Sequence, residues 1–196
     1  MRVLVGVPIK SFGAAKARLA GDLDQNRRRT LAQFLAAHTL TTLDAVGIEP
    51  IVMAGDAEVA TFASSRGFQV VAESGGTLNQ SATQLRAKAV RLGTPWMILH
   101  ADLPYLTGQA LDQPLRALGT GHAVITASPD GGTPLLGGGG QDFEFAYGPA
   151  SFHRHLRQVP RALVLMDPRL SCDIDRPIDL EAARGKIEGI STLLDS

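Results

Sequence analysis

The chain has 196 residues, 44% hydrophobic and 19% charged, the composition of an ordinary soluble globular domain. Lysine plus arginine and aspartate plus glutamate balance at 19 each, which leaves no overall basic field for nucleic acid and makes any anion site a local cluster. Cys172 is the single cysteine, so no internal disulfide can form, and the opening MRVLVGVPIK holds too short an apolar run for a signal peptide or membrane span; one cytoplasmic domain over residues 1–196 is expected.

RVLVGV (2–7) is β-branched and almost continuously apolar, the pattern of a strand buried on both faces. A long loop runs to about Gln25, and a helix then continues to about Val46, with Leu31, Phe34, Leu35, Leu43 and Val46 on one face. PIVMAG (50–55) reads as the second strand, AEVATFASSRG (57–67) as a helix stopped by Gly67, and FQVVAE (68–73) as the third strand. Thr77 and Gln80 have capping-box spacing for a helix that turns Ala82, Leu85, Ala89 and Leu92 inward. PWMILHA (95–101) is the fourth strand, followed by a helix over about 107–118 and by HAVITAS (122–128) as the fifth. Beyond a glycine-rich stretch, FEFAY (143–147) alternates like a half-buried strand and ALVLM (162–166) is a short one, with helices over 150–158 and 177–186. Strands alternating with helices predict a three-layer α/β/α sandwich with a mostly parallel sheet. Ligands of such sheets bind outside the carboxyl ends of the strands.

The segments that follow the strands carry the chemistry. Lys10, Lys16 and Arg18 place three cations in nine residues after the first strand, with Gly13 among small neighbours, a pattern that suits a polyphosphate. Neither G-x-x-x-x-G-K-[ST] nor an opening G-x-G-x-x-G is present, and a solvated basic loop is the competing reading. Asp102 ends the fourth strand, and Asp173 and Asp175 lie in CDIDRP. Carboxylates from separate strand ends suit a hard cation such as Mg²⁺, which takes one or two of them beside phosphate oxygens. Alternatively Asp173 or, better placed, Asp175 caps the helix beginning near Pro177. His153 and His155 are spaced by two and point to different sides of a helix, so they form no paired metal ligand, and His153 reads as a surface or packing residue. Cys172 reads as buried rather than reactive.

In order, V-P-I-K-x(5)-K-x-R-L-A, L-N-Q, A-D-L-P, P-D-G-G-T, F-x-Y-G-x-x-S-F-x-x-H and D-I-D-x-P-x-D-L span residues 3 to about 183. This series resembles the guanylyltransferases of coenzyme F420 biosynthesis, which act on 2-phospho-L-lactate or phosphoenolpyruvate. The resemblance implies the nucleotidyltransferase fold of sugar-nucleotide and molybdopterin enzymes, with GTP, a small phosphorylated acid and Mg²⁺. Carried over by motif, Lys10, Lys16 and Arg18 would face the GTP triphosphate, and Leu78 and Asn79 would lie near the nucleoside. Asp102 and Asp173 would be the metal ligands, with Asp175 the neighbouring candidate, and Lys16 and Asp102 would be the catalytic pair. Thr133, Gly148 and Ser151 would line the acid pocket, Ser151 at a helix N-terminus suited to an anion.

One departure stands out: after G-G-T the family pattern continues with Asn, whereas this chain has Pro134, which removes a side-chain amide and a backbone donor. That leaves 2-phospho-L-lactate, phosphoenolpyruvate and 3-phosphoglycerate all open as the acid. A related nucleotidyltransferase with another nucleotide and acceptor, or a nucleotide-binding module without catalysis, are the alternatives. Such domains are commonly dimers, so a homodimer is compatible with the resemblance; no nucleic-acid or membrane partner is expected.

Overall fold

The apolar run at the start of the chain forms β1 (Leu4–Ile9), which lies inside the sheet between β2 (Ile51–Ala54) and β4 (Trp96–Leu99), parallel to both. The computed structural model describes residues 2–72, 77–140, 142–187 and 189–195. Among these, a seven-stranded sheet has the order β3-β2-β1-β4-β6-β5-β7, with β3 at Gln69–Ala72, β5 at Val124–Ile125, β6 at Leu135–Gly138 and β7 at Leu163–Val164. All pairings are parallel except those of β6, which runs antiparallel to β4 and β5.

Side chains alternate across the pleat, which produces two cores. Val5, Val7 and Ile9 of β1 and Met97 and Leu99 of β4 join one cluster with Leu40 and Leu43 of α1 (Gln25–Ala45), Val59 and Phe62 of α2 (Ala57–Ser64) and Leu111 of α4 (Gly108–Gly119). Leu4, Trp96 and Ile98 face the other way, against Ala82 and Leu85 of α3 (Leu78–Arg91) and the aromatic rings of Phe143 and Phe145. Helical layers therefore cover both faces, as expected for an α/β/α sandwich. A third cluster matters most for the site. Leu19 and Leu23 from the loop after β1, Leu31 and Leu35 of α1, and Ile174, Leu180 and Ile190 from the last part of the chain pack together. That cluster holds the basic loop and the acidic CDID segment against the same helix.

Local capping follows the sequence. The Asp24 carboxylate accepts from the Arg27 N–H at 2.9 Å at the start of α1, and the Thr77 N–H donates to the Gln80 side chain at 2.9 Å at the start of α3. Val46 and Leu92 differ from expectation: each is a helix C-cap, about half exposed, because the chain turns off the helix at that residue. Residues 73–76, including the expected strand end at Glu73, lie outside the described residues.

Two strand assignments are corrected. The glycine-rich stretch after Pro134 is not a loose connection but β6, a buried strand. Gly137 fits there because a Cβ would sit 3.0 Å from the Trp96 carbonyl and 3.1 Å from Leu118. FEFAY, in contrast, joins no ladder, since β6 already occupies the place between β4 and β5. Its alternation is genuine, with Phe143 and Phe145 buried on Trp96, but side chains satisfy its backbone. Gln158 accepts from the Glu144 N–H and donates to the Glu144 carbonyl, both at 2.8 Å. The Ala146 N–H goes to His155 at 2.9 Å, and the Tyr147 N–H to Asn79 Oδ1 at 2.7 Å.

Candidate active site

Lys16 and Asp102 reach one another from the ends of neighbouring strands. The loop after β1 is pinned by buried Phe12 and Leu19, and the turn at Ala17–Leu19 starts from Lys16 in the left-handed region at φ 55°. Asp102 follows β4 and is fixed by fully buried Leu103. Lys16 Nζ donates to Asp102 Oδ2 at 2.6 Å, with the lysine side chain only 6% exposed and the carboxylate 29%. Burial works to raise the Asp102 pKa, but Lys16 and His100 outweigh it and hold the carboxyl below its usual range. A non-glycine left-handed residue costs about 1–3 kcal/mol and recurs at functional sites. Among the described residues the two such positions are Lys16 and Ala150, at φ 54° just before Ser151.

The CDID segment arrives between α6 (Pro168–Ser171) and α7 (Pro177–Arg184). Thr126, at the end of β5, donates to the Leu170 carbonyl at 3.1 Å and so ties α6 to the sheet edge. Burial, with the Asp102 charge nearby, pushes the Asp173 carboxyl up to about 6. Asp175 is engaged differently: Arg18 donates to it at 2.6 Å, with Asp130 a further 3.9 Å neighbour of Arg18. Neither Asp173 nor Asp175 caps α7. Asp179, within the helix, does so by accepting from the Arg176 N–H at 2.8 Å. Lys10 is exposed at the end of β1, where Gly55 passes so closely that a Cβ would lie 3.0 Å from the Lys10 Cα. Cys172 is half-buried rather than buried.

Because β6 is antiparallel to β4, its amino end lies beside the carboxyl end of β4, which brings Thr133 to the rim that carries Asp102. Ser151 opens α5 (Ser151–Gln158), and its Oγ is 2.9 Å from Thr133 Oγ1. The helix start offers less to an anion than expected, because the Ser151 and Phe152 N–H groups already donate to the Gly148 and Gly131 carbonyls at 3.1 Å. Gly148 adopts φ +130°, a conformation that glycine tolerates best. Asn79 spends its side-chain oxygen on Tyr147, and Leu78 packs against the second core. Pro134 is buried, and its carbonyl accepts from the His100 N–H at 2.8 Å, one step beyond the β4–β6 ladder.

Sequence reasoning passed over His155, His100 and Tyr147. His155 is fully buried and its Nδ1 lies 3.0 Å from Thr133 Oγ1, whereas His153 is exposed. The signal that could have found it is the i, i+4 spacing of Ser151 and His155, which puts both on the inward face of α5. The His100 and Tyr147 rings lie 5.7 Å apart, and His100 Nε2, Tyr147 Oη and Asp102 Oδ1 are buried without a hydrogen-bond partner. Unsatisfied buried polar atoms are costly and call for a ligand, ion or water.

Asp102 and Asp173 could hold a divalent cation. Asp102 Oδ1 is buried without a hydrogen-bond partner, which suits a cation ligand, while no group of three or more His, Cys, Asp and Glu that could hold a metal ion is gathered among the described residues. Two carboxylates suit a hard cation that takes its remaining ligands from phosphates and water. A cleft lined by Arg2, Leu4, Glu49, Gln69 and Lys88 lies at the opposite, amino end of the strands.

The family model described as "Guanylyl transferase CofC like" matches residues 1–183. The chain belongs to this guanylyl transferase family. It is 35% identical over 194 residues to a phosphoenolpyruvate guanylyltransferase of Sphaerobacter thermophilus, covering 94% of each chain. The enzyme of that name from Rhodococcus erythropolis is 30% identical over 209 residues, covering 95% of this chain and 92% of its own. A nucleotidyl transferase from Methanothermobacter thermautotroptrophicus superposes with a TM-score of 0.58 at 17% identity, over 94% of this chain and 96% of that one. A 4-diphosphocytidyl-2C-methyl-D-erythritol synthase from Anaerococcus prevotii gives 0.59 at 13% identity, over 94% and 97%. The CofC-like chain is thus a nucleotidyltransferase on the nucleotidyltransferase α/β fold. No helix among its described residues is long and apolar enough to cross a membrane.

Proposed function

We propose that this protein is a Mg²⁺-dependent guanylyltransferase that moves GMP from GTP to the phosphate of phosphoenolpyruvate, releasing pyrophosphate, in coenzyme F420 biosynthesis. The observation that carries the reading is the meeting of Lys16 and Asp102 at 2.6 Å at the carboxyl rim of the sheet. The family's relatives named phosphoenolpyruvate guanylyltransferase support the choice of acid.

The reaction joins two polyanions, so its main obstacle is electrostatic. A phosphate oxygen of the acid forms a bond to the α-phosphorus of GTP, while the bond from that phosphorus to pyrophosphate breaks. A phosphate monoester with a second pKa of about 6 is already a dianion at neutral pH, so no general base is required. Lys16 would offer the triphosphate a nearly buried ammonium, and Lys10 would add charge from the exposed end of β1. Bound by Asp102 and Asp173, Mg²⁺ would supply charge neutralisation and alignment of the phosphates. Thr133 and Ser151, whose hydroxyls meet at 2.9 Å on the rim that carries Asp102, are the residues that would hold the acid beside the nucleotide.

Incubating the protein with Mg²⁺, GTP and phosphoenolpyruvate, with pyrophosphate and guanylylated product followed together, tests this directly. Release that needs both GTP and phosphoenolpyruvate is expected. Release with ATP or CTP instead, or only with 2-phospho-L-lactate or 3-phosphoglycerate, would reassign the nucleotide or the acid.

A further inference from the structure

We propose that His155 is a positioning residue for the acid substrate: held as its Nδ1–H tautomer, it keeps one hydroxyl proton of the Thr133–Ser151 pair available to an anionic ligand. The inference rests on the reading of Thr133 and Ser151 as acid-binding residues.

The argument is a count of protons. The Ala146 N–H donates to His155 Nε2 at 2.9 Å, so Nε2 must carry a lone pair. A neutral imidazole then has its proton on Nδ1, which lies 3.0 Å from Thr133 Oγ1. Thr133 Oγ1 is in turn 2.9 Å from Ser151 Oγ. Nδ1–H, the Thr133 hydroxyl and the Ser151 hydroxyl together hold three protons, and the two contacts among them consume two. One hydroxyl proton is left over, whichever way the Thr133–Ser151 bond points.

The other tautomer reverses this. With the proton on Nε2, Thr133 must donate to Nδ1 and Ser151 to Thr133, and the pair has nothing left to offer an anion. The Ala146 N–H would also face another N–H. The backbone of the 143–147 segment thus sets the donor capacity of the pocket through one ring.

The surroundings keep the ring neutral. Phe143, Phe145 and Tyr147 pack around it with centroids 5.5, 6.5 and 4.8 Å away, and Arg154 and His100 are the charged or titratable neighbours. Burial first, then those two groups, lowers the imidazole to about 4. Ser151, Thr133 and His155 are each no more than 1% exposed, so bulk water offers the ring no alternative partner that would shift its tautomer.

The test has two arms. In full-length protein labelled with ¹⁵N-histidine, imidazole ¹H–¹⁵N correlation between pH 6 and 8, assigned with His155→Phe, should show His155 as the Nδ1–H tautomer. An Nε2–H tautomer or an imidazolium at pH 7 overturns the proposal, whether or not the enzyme turns over. In steady-state assays, His155→Phe should raise KM for phosphoenolpyruvate on the order of tenfold and leave KM for GTP within about twofold. His155→Asn places an amide donor near the position of Nδ1 and should recover most of that loss. An unchanged phosphoenolpyruvate KM in His155→Phe, or equal losses in both variants, refutes the positioning role. If the wild-type protein turns over none of the acids, the substrate reading fails and takes the assigned ligand with it, while the tautomer is still decided by the resonance.

Discussion

Lys16 and Asp102 are 86 residues apart in sequence, yet they form a 2.6 Å ion pair in which the lysine is nearly buried. The pair holds Lys16 in a left-handed conformation that its side chain disfavours. Two effects are therefore superimposed at one residue, and substitutions can separate them. Lys16→Ala removes the ammonium but keeps a Cβ at φ 55°, whereas Lys16→Gly removes both the charge and the strain. Both should bind GTP more weakly by about 1.5–3 kcal/mol. Lys16→Gly should nonetheless unfold later than Lys16→Ala by about 1 kcal/mol. Calorimetric titration and thermal melts check the two halves.

Asp102→Asn preserves shape and removes the charge. Turnover should fall on the order of 10²–10³-fold, the scale of losing one electrostatic group in a transferase site. Circular dichroism should remain that of the native fold, since Asp102 is at the rim and Leu103 beside it carries the packing. Pyrophosphate release at wild-type rate would remove Asp102 from the site.

Half-buried Asp173 and fully buried His155 titrate in opposite senses. Asp173 is raised from 3.8 to about 6, so between those values the folded state holds more protons than the unfolded one, and stability declines as pH rises. His155 is lowered from 6.5 to about 4, so its stability contribution is complete above 6.5 and is lost as pH falls toward 4. Each amounts to about 3 kcal/mol at full extent. In metal-free buffer their slopes oppose one another between pH 4 and 6. Asp173→Asn should expose a rising stability over that window, and His155→Phe a falling one. Melting temperatures taken at half-unit pH steps, with chelator present, report both.

Gly137→Ala probes the buried strand that composition alone disguised. The new methyl must push on the Trp96 carbonyl at 3.0 Å and on Leu118, at a cost of about 1–3 kcal/mol. Denaturant unfolding with an unchanged m-value would report a loss of stability without a change of fold.

Much of this was legible in the sequence, for physical reasons that vary by residue. Lys16 and Asp102 stand out because charged side chains in the segments that follow buried apolar strands lie at the rim where ligands of such sheets bind. The capping box of Thr77 and Gln80 follows from chemistry confined to four residues. Leu135–Gly138 was not legible, because glycine's poor strand propensity hides a strand whose requirement is close approach rather than a side chain. Phe143–Tyr147 misled in the opposite direction: alternation reports which side chains are buried, not which backbone groups pair. The partners of that backbone are Gln158, His155, Arg154 and Asn79, and no local pattern announces bonds across such separations.

The same five-residue segment has a thermodynamic consequence. Asn79 of α3 grips it at Tyr147, and His155 and Arg154 of α5 grip it at Ala146. A ligand that orders the start of α3 and another that orders the start of α5 therefore act on one shared strap, anchored by side chains rather than by a ladder. The first to arrive lowers the entropy that remains for the second to remove. GTP and the acid should then bind with positive cooperativity while the sheet stays still, and amide exchange at Ala146 and Tyr147 should slow with either ligand alone.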